Sequence, residues 1–217
     1  MASCFDECCT DDTQQIVKPC LVSSIIVIVA FTGIFVTISL AVTPQMKASV
    51  EDARLNAFAF IVEGGGNTTA SFFNYNLSIA LAVRNPNKAI GIKHAKPLLA
   101  VIAFHNRRLH SSTVVNKGYR QRPVKVKHIM LPIGGKISSD LLGDGAADDF
   151  KKQNATGPFN VELRLSGEIT NHPFVIPRKR EFGMSCPLSL QLAPPGPEVV
   201  VFHRVNCVAD NPDKLYF

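Results

Sequence analysis

The sequence predicts an all-β fold, an Ig/fibronectin-III-like antiparallel β-sandwich preceded by a single N-terminal transmembrane helix. Three observations predict it. About seven short runs, apolar or alternating, follow residue 55 and are separated by turn residues. Helix signals are sparse over the same span. One uncharged apolar stretch near the N-terminus stands apart from everything else.

The totals conceal that partition. The chain has 217 residues, 23 Lys+Arg against 17 Asp+Glu, a formal charge of +6 and 46% hydrophobic residues. Its mean hydropathy is slightly positive, +0.14. Charged residues at 18% fall below the usual quarter of a soluble chain, so apolar residues displace them. This composition excludes disorder throughout, and 6 Cys in this length exclude a disulfide-dense miniprotein. The expected organisation is a Cys-containing tail over 1–20, a transmembrane helix over 21–43, a spacer over 44–54 and a sandwich domain over 55–217.

No charged residue occurs from Pro19 to Met46, and residues 21–43 are dominated by Ile, Val, Phe and Leu. As a helix rising ~1.5 Å per residue, that segment reaches ~35 Å, enough to cross a hydrocarbon core of ~30 Å. A cleaved signal peptide would have a basic leader and a shorter apolar run. Here the leader carries Asp6, Glu7, Asp11 and Asp12 against Lys18, although Ser39-Leu40-Ala41 has the small residues of a cleavage site. A buried core helix of this length would show a polar face.

Basic residues alone (Lys18 before the segment, Lys47 and Arg54 after it) lean toward a cytosolic C-terminal side. Two other signals point the opposite way. Three glycosylation sequons, at Asn67, Asn76 and Asn154, all follow the apolar segment. The cysteines divide as well: Cys4, Cys8, Cys9 and Cys20 precede it, and Cys186 and Cys207 follow it. The first four suit reversible S-acylation on a cytosolic face, or are free thiols of a tail; they lack the paired spacing of a zinc site. The last two suit a disulfide in an oxidising compartment, or are buried free thiols. The expected orientation is N-terminus cytosolic and C-terminal domain extracellular or lumenal, at the plasma membrane or an endomembrane.

The strands read as follows. Residues 55–62 precede a Gly64-Gly65-Gly66 break, and residues 75–84 alternate Leu77, Ile79, Leu81 and Val83 on one face. Residues 98–104, 124–131, 159–169, 184–192 and 199–205 complete the set, with Phe159, Val161, Leu163 and Leu165 alternating clearly. The one helix signal in the domain is 138–150, where Ser138 or Ser139 is placed to cap Asp140-Leu141-Leu142 before Gly143.

The turn after the 75–84 strand reads Asn85-Pro86-Asn87-Lys88-Ala89-Ile90-Gly91-Ile92. Asn85 is suited to cap it through its side chain, Pro86 presets φ, and Asn87 tolerates the remaining turn angles. Together with the preceding strand, the apolar segment and the late cysteine, this string resembles the plant NHL family. That is the disease-resistance and hairpin-induced-like branch of the late embryogenesis abundant group 2 proteins. The resemblance implies a membrane-attached sandwich linked to defence and stress responses, without catalytic activity or cofactor. Where that family continues with aromatic residues and an acid, this chain has Lys93-His94-Ala95.

No catalytic set stands out. The six His are scattered, and there is no HExxH pair, nucleophile elbow, P-loop or Rossmann glycine pattern. Asp140, Asp144, Asp148 and Asp149 do not follow EF-hand spacing, so no metal is expected. Charge is more informative. Residues 1–20 carry a net −3, which leaves +9 for the remainder. Between Glu63 and Asp140 lie 12 Lys+Arg and no acid, including Arg107, Arg108, Arg120, Arg122, Lys125 and Lys127, which are expected to form one basic face. Nucleic acid has no access outside the cytosol. A protein partner, an anionic polysaccharide or an anionic lipid are the partners such a face suits. A second reading is a lipid-binding or lipid-transfer module with an apolar groove between the sheets.

Overall fold

The computed structural model describes residues 22–34, 46–65, 68–88, 90–172, 179–194 and 201–210. The chain divides into two compact units, Met1–Pro44 and Gln45–Phe217. Within the first, residues 22–34 form a helix, α1, with Val22, Ile25, Ile28, Phe31 and Ile34 all exposed. Among the described residues no helix is long and apolar enough to cross a membrane. The rest of the expected span, and Cys4, Cys8, Cys9 and Cys20, lie outside the described residues.

The second unit is all-β and antiparallel apart from two short helices. Its strands in chain order are β1 (Lys47–Gly65), β2 (Thr68–Arg84), β3 (Gly91–His94), β4 (Leu98–Phe104), β5 (Arg107–Val115), β6 (Arg120–Gln121), β7 (Val126–Ser138), β8 (Pro158–His172), β9 (Lys179–Gln191), β10 (Val205–Asn206) and β11 (Val208–Asp210). One sheet has the order β10-β1-β2-β7. The other runs β11-β9-β8-β3-β6, with the β4–β5 hairpin joined through β4 to β8.

β1 takes in most of the stretch expected as a spacer. Its inward residues Ala48, Val50, Ala53, Leu55 and Phe58 are buried, but two bulges interrupt their spacing, between Val50 and Asp52 and between Leu55 and Ala57. Each bulge inserts a residue and shifts the phase of alternation, which hides the first part of the strand, before the expected run 55–62, from a period-two reading. β5 also escaped that reading. It follows a two-residue turn at His105-Asn106, where both residues have positive φ (48° and 59°), the geometry of a tight hairpin without glycine. The strand expected over 199–205 is not formed at residues 201–204; the short β10 and β11 stand there instead.

Phe58 is the centre of the core. Its ring meets Phe104, Phe150 and Phe159 edge-on at 5.1, 5.1 and 5.0 Å, and Phe73 lies 6.0 Å away. Around Phe58 the space between the sheets is filled by these side chains. Phe150 comes from α3 (Ala146–Thr156), which with α2 (Ser139–Leu142) covers one end of the sandwich. Ser138 is the N-cap of α2 by position, yet its hydroxyl bonds no helix N–H and reaches Asp140 instead.

Three of the links between the sheets lie away from the β2–β3 turn. Tyr75 of β2 donates its hydroxyl proton to the Leu109 carbonyl at 2.9 Å, and the Ala193 N–H donates to the Leu55 carbonyl at 2.8 Å. Cys186 of β9 and Cys207, between β10 and β11, form a disulfide, with Cα atoms 4.3 Å apart. Gly135 makes the first link feasible: a Cβ there would lie 2.8 Å from the Tyr75 hydroxyl oxygen. Gly135→Ala is expected to destabilise the fold by about 1–3 kcal/mol, because that hydroxyl cannot move without leaving Leu109. Comparing urea midpoints of Gly135→Ala and Gly134→Ala tests this, since a Cβ at Gly134 meets its nearest atom at an ordinary 3.5 Å.

Candidate functional site

The Asn-Pro-Asn turn is the centre of a hydrogen-bonded knot at the end of the sandwich remote from α3. Asn85 is fully buried. Its Oδ1 accepts from the Asn87 N–H at 3.1 Å, and its Nδ2 donates to the carbonyls of Ile90 (2.9 Å) and Arg122 (3.4 Å). Asn87 Oδ1 accepts from the Ile90 N–H at 3.1 Å. Thus both asparagines close the turn on itself, while Asn85 also reaches across to the segment entering β7.

That segment reads Arg120-Gln121-Arg122-Pro123-Val124-Lys125-Val126-Lys127. Gln121 is buried and donates through Nε2 to the carbonyls of Val83 and Lys125, both at 2.8 Å. The Asn85 N–H donates to the Lys125 carbonyl, and the Val124 N–H to the Asn87 carbonyl. So fixed, Val124 has φ +60°, a conformation strained for a β-branched residue by about 1–3 kcal/mol, and its side chain is 47% exposed.

Cations crowd this end. Lys47 is the register partner of Arg84, and Arg120 that of Lys93. Lys88 lies within the turn, Lys117 leads into β6, and Arg122, Lys125 and Lys127 belong to the segment just described. Among the described residues, none of these nine cations has a carboxylate partner. The nearby Glu51 carboxylate is engaged by His128 at 2.9 Å. Lys127 instead lies over the ring of Tyr119, its Nζ 3.9 Å from the centroid.

The expected basic face is thus divided. Arg120, Arg122, Lys125 and Lys127 are together, but Arg107 and Arg108 open β5 at the helix end. β8 serves as the ruler: it pairs Glu162 with Ala103 and Thr170 with Lys93, eight positions or ~26 Å apart. A contiguous block of basic sequence is folded back by the β4–β5 hairpin, so proximity in sequence did not become proximity in space.

The remaining sequence candidates are dispersed. Asn67 lies outside the described residues. Asn76 is exposed in the middle of β2 beside Asn56, and Asn154 is exposed in the last turn of α3. Of the four aspartates, Asp149 pairs with His105 (3.1 Å) and Asp148 with Lys151 (3.3 Å). No group of three metal-ligating side chains occurs among the described residues.

His105 borders a shallow depression of about 380 Å³ with Asn106, Asn160, Glu162 and Ser189. Burial pushes the Glu162 carboxyl up, but hydrogen bonds from Arg164 and Ser185 outweigh it, and the group is held below the usual carboxylate range. A carboxylate so engaged is a structural anion rather than a poised base. His105 and Asp149 are both more than a third exposed, so their pairing contributes little.

Sequence reasoning missed His94. It is buried beside Tyr119, and neither ring nitrogen has a partner. Burial, with the charge of Lys127 second, pushes its pKa down to about 4. The folded state therefore favours the neutral ring. Its contribution is complete above the ordinary value of 6.5 and is lost as pH falls from there toward 4. The loss should approach about 3 kcal/mol. Urea midpoints at neutral and mildly acidic pH should diverge more for the native chain than for His94→Leu. Equal slopes would show that the ring does not titrate against the fold.

No family model and no curated protein matches this chain. Solved structures with some similarity include a protein from Archaeoglobus fulgidus, at 9% identity, covering 64% of this chain and 99% of its own, with a TM-score of 0.28. A solution structure described as a late embryogenesis abundant protein, At2g46140.1, has 14% identity, covers 84% of this chain and 91% of its own, and scores 0.32. The solution structure of AT1g01470 from Arabidopsis thaliana has 15% identity, coverages of 69% and 85%, and a score of 0.30. Scores of this size carry no argument; the class is defined by the strands themselves, an antiparallel sandwich of two sheets.

Proposed function

We propose that the chain is a non-catalytic, membrane-anchored display protein that presents a β-sandwich outside the cytosol and binds an anionic partner through the Asn-Pro-Asn end. The observation that carries this reading is the set of nine cations without carboxylate partners among the described residues. Uncompensated like charges repel and are relieved by an external anion. The absence of charge from Pro19 to Met46 and the apolar surface around α1 support the anchor. A disulfide within the sandwich supports an oxidising compartment. The exposure of Asn76 and Asn154 accords with lumenal glycosylation. The resemblance to the NHL proteins supports a role in plant stress or defence.

Two measurements test the reading. Alkaline carbonate should leave the full chain in the membrane pellet, and protease should reach the sandwich only after the membranes are opened. Release by carbonate, or digestion from the cytosolic side, would overturn the anchor and its orientation. Separately, retention on an anionic matrix should fall steeply with salt and be lost when Arg120, Arg122, Lys125 and Lys127 are all replaced by Glu. Unchanged retention in that variant would remove the basic end as the binding surface.

A further inference from the structure

The basic end carries more than charge. Val124 is 47% exposed, Val126 42% and Tyr119 38%, and they lie among Arg120, Arg122, Lys125 and Lys127. Val124 is an exposed aliphatic residue kept in the left-handed region by the hydrogen bonds to Asn87 and around Lys125. Strain of this kind persists only where the surroundings enforce it, and it presents an apolar tip to solvent. β1, the first strand of the sandwich, also starts at this end, since Lys47 is in register with Arg84. The first residues of the sandwich therefore lie beside these cations.

From these observations we infer that the Asn-Pro-Asn end is a docking surface for an anionic lipid bilayer. Val124 and Val126 enter the headgroup boundary, and Arg120, Arg122, Lys125 and Lys127 contact the lipid phosphates and carboxylates. A soluble polyanion offers the cations a partner but gives Val124 nothing to bury it; a bilayer offers both. The aromatic ring of Tyr119 under Lys127 suits the same boundary, where amphipathic rings collect. Polybasic segments are drawn to anionic leaflets within a Debye length, and apolar tips then add binding that salt does not screen. The inference rests on the reading of the chain as membrane-anchored, and it names the partner of the basic end.

The sequence has no Trp, so a single introduced indole reports its own surroundings. Full-chain Val124→Trp is reconstituted into vesicles of brominated phosphatidylcholine, with or without phosphatidylserine. Blue-shifted emission quenched by the brominated chains is expected only with phosphatidylserine. Both changes should be lost when Arg120, Arg122, Lys125 and Lys127 are replaced by Glu, and they should be absent for an indole at Leu141, exposed on α2 at the helix end. Should Val124→Trp fail to fold, Val126→Trp carries the same test. An indole that stays water-exposed on anionic vesicles overturns the inference, as does quenching that is equal on neutral vesicles or survives charge reversal. Binding of soluble polygalacturonate with the indole still in water assigns the cations to a polymer and also overturns it. Carbonate extraction of the same vesicles reads the anchor independently, so the two readings fail separately.

Discussion

Replacing Asn85 by Ala is expected to cost the sandwich about 3 kcal/mol. Three backbone groups depend on this one side chain: the Asn87 N–H, the Ile90 carbonyl and the Arg122 carbonyl. Removing the amide leaves these groups without their partner in a buried site, at about 1–3 kcal/mol for each that finds no water. Asn85→Asp should be no better. A carboxylate keeps the acceptor for Asn87 but sets negative charge against two carbonyl oxygens. Pro86→Ala, in contrast, removes only a backbone restriction and should cost less than about 1 kcal/mol. Urea midpoints of the full chain measure all three. Amide exchange at Val124 adds a local readout, since its N–H donates to Asn87. If Asn85→Ala and Pro86→Ala behave alike, the turn is not the lock described above.

Loss of the Cys186–Cys207 disulfide should cost a similar amount, about 3 kcal/mol, by restoring loop entropy to the unfolded chain across a separation of 21 residues. The effect should be the same for either cysteine replaced by Ala when compared with the oxidised native chain, and it should vanish as a difference once the native chain is fully reduced. It should also be localised. β10 pairs with β1 and β11 with β9, so peptide exchange over 205–210 should rise before exchange in β8 does. Unchanged protection there after reduction would sink the idea that the bond retains these short strands.

How much of this was legible beforehand varied with the kind of signal. β2, β4 and β8 were read from uninterrupted alternation or unbroken apolar runs. β1 was legible only over 55–62, its first part reading as a spacer, because two bulges change the phase of its inward residues. β5 was lost behind a His105-Asn106 turn that has none of the usual glycine. Asn85 was recognised as a turn former from residue type alone, but its reach to Arg122 is a tertiary contact that no local pattern encodes. The basic block was evident as composition; its division between two ends depends on where β4 turns back. His94 gave no signal, since a lone histidine in a short strand is indistinguishable from a surface one until its neighbours are known.

The segment 205–210 belongs to both sheets in turn, and it is translated after β1 through β9. Until it arrives, β1 and β9 each present an unpaired edge along part of their length. Such edges recruit other strands, including those of neighbouring nascent copies. Cys186 is made well before Cys207, and for that interval it has no native partner. Completing the sandwich therefore joins strand addition to the pairing of two thiols.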